Sequence, residues 1–194
     1  MAFSIFVRVA AIAATVFVLA GCVTKPVGPD NPGTKVRYRP PDPDKWVGQR
    51  SFDYRSVFRC RPLACPENSM VHIKLGVSPT RSPDPQALQK FAQDDAARQM
   101  AVVEEASPSA SSGRLQDLNL LTSIVTKAKD FPAVHWEYRG QLGDKSVYVV
   151  RKLVFAGNGT VDVISSSLSL DVARRNSADF VALIEVEDYS PQAR

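Results

Sequence analysis

Three cysteines and two histidines carry the most reactive side chains of this 194-residue chain, and their spacing decides what chemistry is open to them. Cys60 and Cys65 lie close together in Cys60-Arg-Pro-Leu-Ala-Cys65. In an oxidising compartment such a pair most often closes as a disulfide. Its short loop limits the stabilisation to about 2 kcal/mol. A redox centre would ask for C-x-x-C in a thioredoxin-like setting, which is absent. A zinc site would need two further ligands, and His72 and His135 sit on separate segments with no paired spacing. Both histidines fall on the polar side of alternating stretches, so one sheet face could gather them and make one a general base. The alternative is two solvent-facing histidines. The G-x-S-x-G elbow, H-E-x-x-H and a phosphate-cradling glycine loop are absent from the sequence. The chain therefore reads as a non-enzyme with no catalytic residue, metal ligand or cofactor, the alternative being a hydrolase acting through His72 or His135.

Other clusters have plainer readings. Asp94-Asp95 with Glu104-Glu105 would form a solvated acidic helix face, since calcium needs alternating oxygen ligands in a loop. Ser165-Ser166-Ser167 falls inside a strand-like segment as polar positions. Trp136, Tyr138, Tyr148 and Phe155 are the candidate binding residues for a small ligand between sheet and helices, and they would serve equally as core.

The third cysteine belongs to the N-terminal segment. Arg8 and the amino terminus give a short positive region, followed by the apolar run Val9 to Ala20 (VAAIAATVFVLA). That is the length of a secretory h-region and too short for the roughly 20 residues that span a bilayer. Leu19-Ala20-Gly21-Cys22 then resembles the lipobox of bacterial lipoproteins. The resemblance implies a signal peptide over residues 1–21, cleavage before Cys22, and diacylglycerol and palmitate-type acylation at Cys22. Two or three acyl chains make such anchoring effectively permanent. Val23 after the cysteine implies, by the same resemblance, the periplasmic face of the outer membrane. Asn158-Gly159-Thr160 matches a glycosylation acceptor, but a bacterial lipoprotein would not ordinarily meet that machinery.

Residues 22–45 are expected to be a lipid anchor and linker. From Val23 to Lys45 the segment holds six prolines and two glycines and nothing periodic to bury, which predicts a disordered or extended spacer several tens of ångströms long. From Cys22 to Cys65 there are nine Lys or Arg against four Asp, so the overall charge of +4 is concentrated upstream. The charges could attract anionic headgroups or simply keep the tether extended. No aromatic-interleaved basic motif appears, so nucleic acid is excluded as a partner.

A single domain is expected over residues 46–190. Ser51 to Phe58 and Met70 to Val77 read as strands, the second alternating Val71, Ile73, Leu75 and Val77 against polar neighbours. Asp84 as N-cap and Pro85 at the first position start a helix to about Ala106. After a loop at Ser107 to Gly113 come strands at Leu118–Ala128, Ala133–Arg139, Lys145–Phe155 and Val161–Leu168. An asparagine–glycine turn joins the last two. A helix over Leu170 to Val186, buried through Val172, Phe180, Val181, Leu183 and Ile184, closes the chain. The order predicts an α+β fold, an antiparallel sheet packed with two helices as an α/β sandwich with helices on its inner face.

From about Leu115 this order of meander and closing helix resembles the PsbP-like fold of photosystem proteins. The resemblance implies a non-catalytic binding or assembly module and transfers no residue. The functional expectation is then a membrane-anchored envelope lipoprotein whose domain binds an envelope protein or surface polymer. The alternative is a ligand carrier or sensor.

Overall fold

The structure is a computed structural model that describes residues 24–25, 34–50, 55–78, 83–106 and 115–188. The signal peptide, the lipobox with Cys22, and Ser51 to Tyr54 at the start of one expected strand lie outside the described residues.

The main sheet has seven strands, all antiparallel, in the order β3-β4-β5-β9-β8-β7-β6. Their ranges are β3 Trp46–Arg50, β4 Arg55–Cys60, β5 Met70–Val77, β6 Gln116–Ala128, β7 Phe131–Leu142, β8 Lys145–Ala156 and β9 Gly159–Ser167. Helix α1, Pro85–Ala106, crosses from central β5 to edge strand β6, and α2, Leu170–Ala182, follows β9. The expected sheet and both helices are present, with β3 as an added edge strand.

Local chemistry explains these elements. Asp84 caps α1 as expected, its Oδ2 accepting the Ala87 amide at 3.2 Å. Two-residue turns join the meander: Ala128 pairs with Phe131, Leu142 with Lys145, and Ala156 with Gly159. In the last of these Gly157 takes φ 59°, so glycine occupies the first central position and the turn is Gly157-Asn158. The asparagine–glycine turn expected there is displaced by one residue, because Gly159 already pairs within β9.

The helices lie on opposite faces of the sheet. Adjacent residues of a strand point to opposite faces, and on β7 Trp136 Nε1 donates to Ala92 O of α1 while Glu137 accepts from Arg174 of α2. The expectation of one helix-covered inner face is corrected accordingly. It failed because β7 alternates apolar and polar residues, yet Ala133, Val134, Trp136, Glu137 and Tyr138 are all buried.

Beneath α2 lies one core, in which Phe180, fully buried, meets Trp46 and Phe58 with ring centroids 5.1 Å away in each case. Val71, Ile73, Val161 and Val163 fill the same layer. Beneath α1, Leu88, Ala92 and Ala96 pack on Val134, Trp136, Tyr138, Leu153 and Phe155.

A second, three-stranded sheet changes two expectations. It consists of β1 Thr24–Lys25, β2 Thr34–Arg37 and β10 Glu185–Asp188, in the order β1-β2-β10. The closing helix ends at Ala182, and its expected last turn is this strand. Residues within the expected disordered linker are folded: Val36 is 2% exposed, and Tyr38, 3% exposed, shares a 2.8 Å hydrogen bond with Ser56 Oγ. The folded domain thus starts upstream of Trp46. Proline content concealed this, because the two apolar residues that matter find partners far away in the chain.

Cys60 and Cys65 are joined as a disulfide, with Cα atoms 5.8 Å apart. The bridge closes the β4–β5 turn, in which the Ala64 and Cys65 amides donate to Arg61 O.

Candidate functional site

The structure separates the residues that the sequence brought together as a possible reactive group. On β5, His72 stands in the row Gln49, Val57, His72, Ile164, Arg151 and Trp136 across the sheet, the α1 face. On β7, His135 neighbours Trp136 in sequence and so points to the α2 face. The two histidines are on opposite sides of the sheet, and the constellation that a two-histidine hydrolase would use is not assembled. Among the described residues, no three or more His, Cys, Asp or Glu are placed to hold a metal ion.

His135 does contact a carboxylate. Its Nε2 is 3.0 Å from Glu137 Oε1, and Arg174 of α2 forks onto the same group, Nε to Oε1 and Nη2 to Oε2, both at 2.8 Å. Glu137 is 5% exposed. The Arg174 hydrogen bonds outweigh the burial, and with His135 they pull its pKa down to about 2. The carboxylate is thus held ionised and fully engaged, which suits a tie between α2 and the sheet and not proton transfer near neutrality.

This carboxylate gives the domain a pH signature. With the folded pKa depressed from 4.5 to about 2, its stabilisation is complete above the unfolded value and is lost as pH falls through the folded one. Because Arg174 is half-exposed and water screens it, the contribution is on the order of 2 kcal/mol. Acid titration of the unfolding free energy should show this loss between pH 5 and pH 2, and Glu137→Gln should flatten it. An unchanged acid limb in that variant would refute the assignment.

On the α1 face, Arg151 of β8 joins two carboxylates. Its Nε reaches Asp162 Oδ1 at 2.8 Å and Oδ2 at 3.0 Å, while Nη1 pairs with Asp95 of α1. The guanidinium stacks over Trp136, 4.8 Å from the ring centroid. Together the carboxylates raise the Arg151 pKa against the opposing effect of burial. The sequence placed Asp95 on a solvated acidic face, whereas it is 8% exposed and inward. Asp94, paired with Lys90 at 2.9 Å, and Glu104 are exposed and have the expected solvent setting.

Of the aromatic residues named as a binding wall, Trp136, Tyr138 and Phe155 are core. Trp136 is fully buried and Tyr138 is 2% exposed, its phenol pushed up to about 12 mainly by desolvation. Tyr148, half-buried, pairs with Arg139 in the row that points to the other face. These residues do not line a common pocket. A recess does exist between β6, β7, α2 and β10, lined by Phe131, Val154, Val181, Ile184 and Val186, but its volume of about 10 Å³ is that of a single water.

What remains uncovered is a surface. Helix α1 packs over β6, β7 and β8, and among the described residues no helix covers the rest of its face, on β9, β5, β4 and β3. There the sheet register sets Val47, Arg59, Met70 and Ser166 in one row. Val57, His72 and Ile164 follow in the next, then Arg55, Lys74 and Asp162. Arg55, Arg59 and Lys74 are exposed, Val47 is 46% exposed, and Val57, Met70 and Ile164 are half-buried. Among the described residues of these rows the acid is Asp162, which is already committed to Arg151. Burial, then Arg55 and Arg59, lower the His72 pKa, so His72 adds no charge near neutral pH. The result is a basic field around an apolar strip. The alternation of β5 assigns His72 and Lys74 to one polar face, but the sequence does not show that Arg59, Val47 and Val57 join them there.

No protein-family model matches the chain, and no curated protein matches it. Its likeness is to solved folds. Cyanobacterial PsbP (CyanoP) of Synechocystis sp. PCC 6803 superposes with a TM-score of 0.56 at 15% identity, covering 86% of this chain and 100% of that one. LpqN of Mycobacterium tuberculosis, a protein involved in cell envelope biogenesis, superposes with a TM-score of 0.53 at 13% identity, over 84% of this chain and 89% of that one. The chain therefore has the α+β fold of PsbP-like proteins, as the order of its second half implied.

Proposed function

We propose that this protein is a lipid-anchored component of the cell envelope, at the periplasmic face of the outer membrane. Its domain is a non-catalytic binding or assembly module that takes the acidic surface of another envelope protein. The observation that carries this reading is the half of the α1 face that no described helix covers, where Arg59 and Lys74 flank Val47, Val57, Met70 and Ile164. A surface with an apolar centre and a charged rim is the ordinary anatomy of a protein interface. Its charge selects acidic partners and speeds their encounter. The lipobox-like Leu19-Ala20-Gly21-Cys22 supports the anchor. LpqN, which shares the fold, is involved in cell envelope biogenesis, the setting proposed here.

The test is crosslinking and pull-down from membranes with the native anchor, comparing the wild type with Arg59→Glu/Lys74→Glu. Both positions are exposed, so the fold should survive. The expected result is an acidic envelope protein captured reproducibly by the wild type and reduced about tenfold or more by the double reversal. Cys22→Ser should abolish lipidation and release the folded domain from membranes. Undiminished capture by the double variant, or a co-purifying small molecule with no protein partner, would overturn the reading.

A further inference from the structure

We propose that the domain is strapped close to the lipid surface by the small sheet and presents its basic face on the opposite side, toward the compartment. This rests on the reading of Cys22 as the lipid-bearing residue. Strand β1 begins two residues after Cys22, and Thr24 pairs with Arg37 while Lys25 pairs with Val36. Strand β2 in turn pairs with β10, Val36 to Val186 and Arg37 to Glu185, and is fixed to the domain by the burial of Val36 and Tyr38.

Two extended residues span at most about 7 Å, and paired strands lie about 4.8 Å apart. Buried Val36 stands opposite Lys25, one residue further on, so with its own side chain the acylated sulfur is held within roughly 18 Å of that core backbone. A free proline-rich spacer of the same segment would allow several times that reach. Charge does not dictate the placement, since Arg37 stands opposite Glu185 in the ladder. The covalent path dictates it.

The small sheet packs on the α2 side, because Val36 and Tyr38 share their core with Phe58, Phe180 and Ile184. The field of Arg59 and Lys74 is on the α1 side. A bilayer against β1 thus leaves that field facing outward, and the anchor orients the binding surface as well as retaining it.

The experiment couples a maleimide lipid to the thiol of Cys22 in the mature chain, which contains all the described residues. With Cys60 and Cys65 in the disulfide, Cys22 is the one free thiol of the three cysteines. The product is placed in phosphatidylcholine nanodiscs carrying nitroxide headgroups, and amide relaxation is read residue by residue. The expected result is several-fold stronger broadening at Lys35, Arg37, Glu185 and Glu187 than at Arg59, Lys74 and Asp94. In Thr24→Pro/Lys25→Pro, which removes whichever of the two amides faces β2 and so disfavours the pairing, this gradient should collapse. Weak uniform broadening in the wild type, or a gradient unaltered by the double proline variant, would overturn the strap. Because the lipid is attached chemically, either result is independent of native acylation. The mass of the Cys22 peptide from membranes tests that separately.

Discussion

Arg151→Met should cost the domain about 3–5 kcal/mol of folding stability, measured by urea unfolding at neutral pH. The guanidinium is the cation shared by Asp95 and Asp162, each 8% exposed. Removing it leaves two carboxylates in a poorly solvated site against Trp136, with the exposed Arg98 holding Asp95 at 3.3 Å. Methionine fills much of the volume, so lost packing is a minor part of the effect. Arg151→Lys should fall between, since an ammonium keeps the charge but cannot fork onto Asp162. Combining Arg151→Met with Asp95→Asn and Asp162→Asn should recover much of the loss, because the cost is that of stranded charge. A loss under about 1 kcal/mol in the single variant would show that water reaches these carboxylates freely.

Phe180→Ala should be of similar size, about 3–5 kcal/mol. Phe180 is fully buried and joins three parts of the fold, since its ring meets Trp46 of β3 and Phe58 of β4 while its helix runs on into β10. The cavity would open where the main sheet, α2 and the small sheet converge. Phe180→Leu, which retains most of the apolar volume, should cost about 1.5 kcal/mol or less. Against a typical total of 5–15 kcal/mol, either large substitution brings the domain near its unfolding threshold. Thermal unfolding checks both, and an alanine variant within 1 kcal/mol of the wild type would contradict the packing described.

These two positions differ in how visible they are beforehand. Phe180 stands out in the sequence because helical spacing puts it on a stripe with other apolar residues, and local periodicity is readable without a fold. The same holds for the Asp84-Pro85 start of α1 and for the alternation of β5. Arg151 is invisible in that sense. Its partner Asp95 is 56 residues away, and Glu137 and Arg174 are 37 apart, so each looks like a surface charge until the chain closes. The histidines show the same limit: alternation gives each one's side within its strand, and only the register between strands gives their relation.

The small sheet is the plainest case. In Thr34-Lys-Val-Arg37 and the tyrosine after it, two apolar residues among prolines and charges resemble a spacer. Their partner strand is Glu185–Asp188, nearly the whole chain away. No local pattern marks such a strand, and its partner was read as the end of a helix for the same reason. The open basic face was hidden likewise, because its rows alternate among β3, β4, β5 and β9.

The proposed capture of a partner by this face of the anchored domain can be tested directly. A photo-crosslinking side chain placed at Val47, on the basic face, can be compared in living cells with one at Ile124, equally exposed on the opposite face. The expected result is a discrete protein adduct from Val47, absent from Ile124, that weakens with added salt as screened charges should. Adducts of the same protein from both positions, or from Ile124 alone, would contradict it.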